Sequence, residues 1–381
     1  MIRPSNDSPA WEHRLLTLLG MAAALIAVTG CERPVTYGGQ ASTLSGSIRL
    51  ELEETFGARN DEEEGILAYI NAVQVDADGR VYVLDADPRS TSQLMSFSPD
   101  GRLRWVLDKE GGGPGDLRHV LGFAWDGDST LYLANQFGTR IDRFTLDGVY
   151  IDSKKTAELG HERLFIAGFL ASGALVAWKT VSGEFGAKIA VIDPDGDWAV
   201  TDTFSVIQTG DHDVPQVIVS PPVITTMGDA IVMGSVTEYQ YTWYARSGDR
   251  LRRITRDDVE LPPPLIWSSG LGVSIREFSR MYPLVEIAEN RVVGGGTWPT
   301  NLENPEAFRL LTGEPPDLEM ANKLDVFDAG SSALLYSLDA ERYGIVRLLA
   351  SDRRGNIYAE LAGQAPLLGR FRLEISSSEP R

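Results

Sequence analysis

The feature that most restricts how this chain can fold is a repeated pair of hairpins, most of them turning on a glycine. The clearest unit is VDADGRVYVLD (75–85) followed by LMSFSPDGRLRWVL (94–107). In each, a strand end meets Asp-Gly, which supplies the positive φ that a tight hairpin needs, and a strand of β-branched and aromatic residues follows. The same double hairpin returns as WDGDSTLYLAN (125–135) with IDRFTLDGVYIDS (141–153), and as LASGALVAWK (170–179) with IAVIDPDGDWAVTD (189–202). Gly79 and Gly127 are 48 residues apart, and Gly101, Gly148 and Gly196 are spaced by 47 and 48. Four short strands recurring with that period are the signature of propeller blades.

Three looser units complete the count. TMGDAIVMGS (226–235) with YTWYARSGDRLRRI (241–254) is a fourth, LVEIAENRVVGGGT (284–297) with LDVFDAGSSALLYSL (324–338) a fifth, and ASDRRGNIYAEL (350–361) with LGRFRLEI (368–375) a sixth. The fifth is split by an insertion, 299–323, expected to stand out as a loop or small helix. The stretch 260–281 carries three consecutive prolines, which exclude a central strand, and is expected to be a long crossover between blades four and five. The sixth unit lacks a clear fourth strand. The alternating IRLELEE near the start of the domain can supply it and close the ring without an open edge. The expected fold is therefore all-β: a six-bladed β-propeller of four-stranded antiparallel blades over 47–381, closed by an N-terminal strand.

The N-terminus predicts export. Residues 15–28 (LLTLLGMAAALIAV) form an apolar run preceded by Arg3, His13 and Arg14, too short for a spanning helix and shaped like a signal peptide. Val28-Thr29-Gly30-Cys31 resembles the lipobox of bacterial lipoproteins, which implies cleavage after residue 30 and acylation of Cys31. It is the one cysteine of the chain, so the mature chain can form no internal disulfide. Glu32 follows where an aspartate commonly favours inner-membrane retention, so the resemblance leans towards the outer membrane. Residues 31–46 are rich in small and polar side chains and read as a flexible tether.

KEGGGPGDL (109–117), between the first two units, resembles the glycine-rich connector of the 6-bladed β-propeller lipoprotein family, relatives of the NHL-repeat propellers. With the Asp-x-Asp-Gly unit before it, the resemblance covers nearly the whole mature chain in layout. It implies a fold and an envelope location and brings no catalytic set. Independently of it, Gly111, Gly112, Gly113, Pro114 and Gly115 suit a connector diving from an outer strand to the channel; no Lys-Ser or Lys-Thr comes after them to make a nucleotide loop.

Charge and motifs narrow the function. The net charge of −19 repels nucleic acid. There is no HExxH, no cysteine cluster and no Gly-x-Ser-x-Gly elbow, which disfavours structural zinc, metalloprotease and α/β-hydrolase chemistry. Asp76, Asp78, Asp126 and Asp128 lack the spacing of a calcium loop and read as hairpin hydrogen-bonding devices. Aligning the units places Tyr69, His119, Arg163, Ser220, Tyr282 and Tyr343 at the channel mouth where the innermost strands begin. They are candidates for a ring that binds a ligand or peptide, or alternatively cap the channel or pack on neighbouring blades. The expected function is a membrane-anchored, monomeric envelope propeller that binds a protein, peptide or glycan partner without catalysis or cofactor. The alternative is an enzyme resembling the metal-dependent propeller lactonases or lyases, with a divalent ion in the channel near Glu286 and Arg347. A third reading makes 299–323 the docking arm of an envelope complex.

Overall fold

The structure, a computed structural model, describes residues 37–40, 46–58, 65–86, 92–180, 186–207, 223–235, 238–259, 261, 265–269, 272–276, 279–288, 290–301, 310–311, 318–363 and 365–377. These form six antiparallel blades, each given from the channel outwards. Blade 1 is Ile70–Val75, Val81–Ala86, Ser92–Phe97 and Leu103–Leu107. Blade 2 is Phe123–Trp125, Thr130–Asn135, Arg140–Thr145 and Tyr150–Lys155. Blade 3 is Phe165–Phe169, Leu175–Thr180, Gly186–Asp193 and Ala199–Ile207. Blade 4 is Val223–Met227, Ala230–Gly234, Gln240–Tyr244 and Arg250–Thr255. In blade 5 the innermost strand is interrupted, Arg280–Met281 and Val285–Ala288 both pairing with Arg291–Pro299; Met320–Asp328 and Leu334–Asp339 complete it.

Blade 6 takes three strands from the end of the described chain, Ile345–Ser351, Asn356–Leu361 and Leu367–Ser377. Its fourth is Gly46–Phe56 from the start, paired from Gly46 against Ser377 to Phe56 against Leu368 with one bulge between Leu52 and Glu54. The ring is thus closed by the N-terminal strand, as the alternating pattern predicted. Within the segment read as a tether, Tyr37–Gln40 adds a short outer strand against Ser47–Leu50. Residues 1–36, including Cys31, lie outside the described residues.

Strand burial explains why the blades stack. The second strand of blade 1, Val81–Ala86, is buried along its whole length, whereas the outermost strand of blade 2, Tyr150–Lys155, alternates between half-buried and exposed. A strand covered on both faces is mostly apolar, here with Asp85 as the polar exception near its end, and its alternate side chains enter different seams. Val81 and Val83 pack with Phe56, Tyr358 and Leu368 of blade 6, while Tyr82 and Leu84 pack with Leu131, Leu133 and Phe144 of blade 2. The pattern continues around the ring, one apolar cluster to each seam between neighbouring blades.

Two irregular stretches meet outside the blades. Leu265–Ser269 forms a hairpin with Gly272–Arg276 and pairs in parallel with Leu310–Leu311. The stretch expected to be a bare crossover therefore carries two strands: the proline run ends at Pro264, and every residue of the two strands has an N–H to donate. Pairing of Arg291–Pro299 with Met320–Asp328 is continuous to Pro299 opposite Met320. The excursion from blade 5 thus leaves after Pro299 and returns at Met320, earlier than the expected limit at 323. Among the described residues, no helix is long and apolar enough to cross a membrane.

Candidate functional site

The two ends of the channel are built differently. At the turn end, each innermost strand reverses through a short turn into the second strand; at the loop end, the chain arrives from the previous blade.

The loop end is organised by the ends of the second strands. Asp85, 6% exposed, accepts hydrogen bonds from the backbone N–H groups of Ala68 and Tyr69. Asn135 is its counterpart in blade 2 and is fully buried. Its Oδ1 accepts from the N–H of Arg118 (2.8 Å) and of Gln136 (2.7 Å), and its Nδ2 donates to the Asp116 carbonyl (2.7 Å) and to Asp142 (2.6 Å). In blade 1 the N–H held is that of Tyr69 itself, whereas in blade 2 it is that of Arg118, next to His119.

The turn after Asn135 is unusual. His119, Gln136 and Phe137 all have left-handed backbones, with φ of 48°, 51° and 57°. The Phe137 N–H donates to the His119 carbonyl (3.0 Å), and their rings stack with centroids 3.9 Å apart and planes inclined by 20°. Arg163 arrives over the same ring from blade 3, its guanidinium 5.9 Å from the Phe137 centroid. The neighbouring Leu164 N–H is bound to the Gly138 carbonyl (2.8 Å), and a Cβ at Gly138 would lie 2.3 Å from the Leu164 carbonyl oxygen. Glycine is required there so that blade 3 can approach. In blade 1, Tyr69 lies under the Arg347 guanidinium at 5.6 Å, and Arg347 in turn donates to Glu360 and to the Ile70 carbonyl. Phe137 is 42% exposed and Tyr69 39%. Three of the six residues expected at this mouth thus form two aromatic–cation groups, joined by Phe137 and Arg347.

Of the remaining three, Tyr282 and Tyr343 belong to the seam of blades 5 and 6. Tyr282 is 1% exposed in the seam of blades 5 and 6. Its hydroxyl is taken up by Asn322 Oδ1 and the Val346 carbonyl, both at 2.7 Å, so it pins two blades together. Tyr343 ends the 3-10 turn Ala340–Tyr343, capped by Gly344 at φ 68°, and packs against the same core. Ser220 lies outside the described residues. Alignment of the turns puts Tyr282 on the ring because the interruption of the innermost strand beside it leaves no mark in the turn spacing.

Along the axis at the turn end is a cavity of about 520 Å³ to which all six blades contribute, through 73–77, 125–128, 167–171, 225–228, 284–286 and 349–354. Its rim repeats one device. Asp76 Oδ1 accepts from the N–H groups of Asp78 and Arg80, Asp126 Oδ1 from Asp128, Ser129 and Thr130, and Asp352 Oδ1 from Arg354 and Asn356. These carboxylates hold hairpins in shape. Glu286 differs: it stands on the innermost strand of blade 5, and its ion partner Arg353 is 3.9 Å away. Arg347, expected as its neighbour, is committed to Glu360 and Ile70. Among the described residues no group of three His, Cys, Asp or Glu is placed to hold a metal ion.

The glycine-rich connector is bound to blade 2. Asp116 accepts from the Gly113 N–H (2.9 Å) and pairs with Lys109 (2.5 Å); the lysine first, then the amide, hold its carboxyl below the usual range. Arg140 donates to the carbonyls of Gly112, Gly113 and Asp116, while its other partner Asp142 is fully buried, with its carboxyl pushed up by that burial. A Cβ on Gly111 would lie 2.3 Å from Asp116 Oδ2. The connector offers carbonyl oxygens to an arginine, and the Gly113 N–H that an anion cradle would use is already satisfied.

Several solved structures are similar to this chain at low identity, one of them with a TM-score above 0.5. An exported protein from Bacteroides fragilis superposes with a TM-score of 0.53 at 9% identity, covering 85% of this chain and 95% of that one. A member of the DUF4221 family from Bacteroides vulgatus gives 0.48 at 11%, covering 86% and 99%. Virginiamycin B lyase from Staphylococcus aureus gives 0.42 at 15%, covering 85% and 99%. No protein-family model matches the chain, and no curated protein does.

Proposed function

We propose that this chain is a lipid-anchored envelope propeller that holds an extended peptide segment of a partner protein at the loop end of its channel, without catalysing a reaction on it. The observation that carries this reading is Phe137. A large aromatic side chain is kept 42% exposed on a left-handed backbone, stacked on His119 and flanked by Arg163. A left-handed non-glycine residue costs about 1–2 kcal/mol, and such strain persists where the surrounding structure over-determines it, often at ligand clamps. Aromatic rings and arginines together are also the composition of interface hot spots. Tyr69 with Arg347 extends the same surface to blade 1. Envelope location rests on the signal-like N-terminus and the lipobox-like Val28 to Cys31, and the fold relative from Bacteroides fragilis is described as exported.

The test places a photoreactive amino acid at Gln136 in cells and identifies crosslinked material by mass spectrometry. One discrete protein adduct is expected, lost when Tyr69, Phe137 and Arg163 are replaced together by alanine while the melting temperature changes little. Tyr282 is left intact because its replacement would open a seam. Labelling of sugar in place of protein, or an adduct that survives the triple replacement, overturns the peptide reading. The anchor is tested separately: Cys31→Ser moves the protein from the membrane to the soluble fraction, and retention on the membrane would refute it.

A further inference from the structure

We infer that the axial cavity at the turn end is a second binding site, for a small organic cation carrying ammonium groups. It is independent of the peptide surface at the opposite end of the channel. The space is of the size that holds a small molecule, and every blade contributes to its wall. It is kept open by small residues: Ala77 and Ala171 line it, and a Cβ added at Gly127 or Gly228 would meet nothing within 4 Å.

The chemistry of the wall selects charge. Five acidic residues contribute to the lining of the cavity against two arginines. Three of the five are partly neutralised by the amides of their own turns, which leaves Asp128 and Glu286. Asp128 accepts no side-chain hydrogen bond among the described residues. Among the described residues Glu286 has only the distant Arg353, whose side chain is 63% exposed, so its oxygens retain capacity for a donor. One of the two guanidiniums, that of Arg354, is tied to the Ala77 carbonyl. Trp125 and Phe169 supply aromatic surface on the side of blades 2 and 3. Carboxylates combined with indole and phenyl surface make a setting for an ammonium group, which gains from both the opposite charge and the ring quadrupole. The absence of three clustered metal-ligating side chains among the described residues separates this site from one for a divalent metal.

The experiment is isothermal titration calorimetry of the full mature chain in detergent at low ionic strength, with 1,4-diaminobutane as probe and 1,4-butanediol as its neutral analogue. Saturable binding of the diamine at one site, and none of the diol, is expected. Glu286→Gln weakens the dissociation constant by about tenfold, the effect of losing one close charge partner. Ala171→Trp, which fills the cavity from an exposed position, abolishes binding. Glu374→Gln removes the same charge from the outside of blade 6 and leaves the affinity within about twofold. Absence of saturable diamine binding overturns the proposal. So does equal weakening by Glu374→Gln, which would assign the effect to the overall charge of −19. Displacement of the diamine by stoichiometric Mg²⁺ would make the site a metal site and overturn it as well.

Discussion

The strain at Phe137 makes a prediction whose sign is unusual. In most strand and turn positions, replacement by glycine destabilises more than replacement by alanine, by roughly 0.5–1 kcal/mol, because the unfolded chain gains freedom. At Phe137, φ is 57°. Both Phe137→Ala and Phe137→Gly lose the stack on His119, worth about 0.5–1.5 kcal/mol, together with the buried part of the ring. Alanine keeps the left-handed strain of about 1–2 kcal/mol, whereas glycine relieves it. Subtracting the entropy cost of glycine leaves the glycine variant more stable than the alanine variant by about 0–1.5 kcal/mol, with about 0.7 kcal/mol at mid-range. Urea unfolding of the two variants and the parent, followed by tryptophan fluorescence, measures the order. The Gln136 crosslink measures function in the same proteins and should be lost in both. An alanine variant more stable than the glycine variant would refute the assignment of strain. A glycine variant that still gives the crosslink would refute the link between that strain and partner binding.

Other predictions concern the scaffold. Leu50 is fully buried in the seam between the closing strand and blade 5, so Leu50→Ala should cost roughly 2–5 kcal/mol in urea unfolding. Glu53→Gln on the same strand loses an exposed pair with Arg372 and a half-buried one with Arg370, and should cost about 1 kcal/mol. Tyr239 donates to the fully buried Asp325, which Arg256 also approaches at 3.0 Å, so Tyr239→Phe removes a donor from a buried carboxylate and should cost about 1–3 kcal/mol. His161 is 7% exposed, its Nδ1 lacks a partner, and burial together with Lys179 and Lys188 lowers its pKa. The unfolded chain takes up a proton near pH 6.5 that the folded chain accepts only at lower pH, so this contribution to stability is full above about pH 6.5 and declines below it. The melting temperature of His161→Gln should fall less than that of the parent between about pH 7 and pH 5.5; parallel curves would contradict this.

How far the fold can be read from the residues depends on which interactions are local. Each Asp-Gly turn is complete within a few positions: Asp76 binds the amides of Asp78 and Arg80, and Gly79 takes φ 80°. Such turns and the alternation of Val81, Tyr82, Val83 and Leu84 can be seen in the sequence, and they determine blade number, strand order and the closing strand. The hairpin after Pro264 is not legible in the same way, because its partner strand, Leu310–Leu311, lies some forty residues further on. At the site, Tyr69, His119 and Arg163 are legible through their constant distance from the turns. Phe137 is not, since its exposure depends on Asn135, on the His119 carbonyl and on the approach of blade 3 at Gly138. The one local sign is an Asn followed by Gln-Phe-Gly, a turn in which two non-glycine residues take positive φ before the glycine does.

This division between local and long-range interactions also accounts for the different chemistry of the two channel ends. At the turn end, Asp76, Asp126 and Asp352 do the same task in three blades, because a hairpin two or three residues long leaves few solutions. Individuality there is confined to residues outside the device, such as Glu286 on a strand and Ala171 or Gly228 in turns without the aspartate. The resulting site is small, recessed and set mainly by charge. At the loop end, each blade is entered by a segment of different length and conformation, and only the anchoring side chain, Asp85 or Asn135, is constant in role. Those segments were free to diverge in what they expose. Large aromatic and cationic groups are found there, on backbone that is held from beneath and open above. The two proposed sites follow this asymmetry, a macromolecular segment at the end where the loops vary and a small cation at the end where the turns repeat.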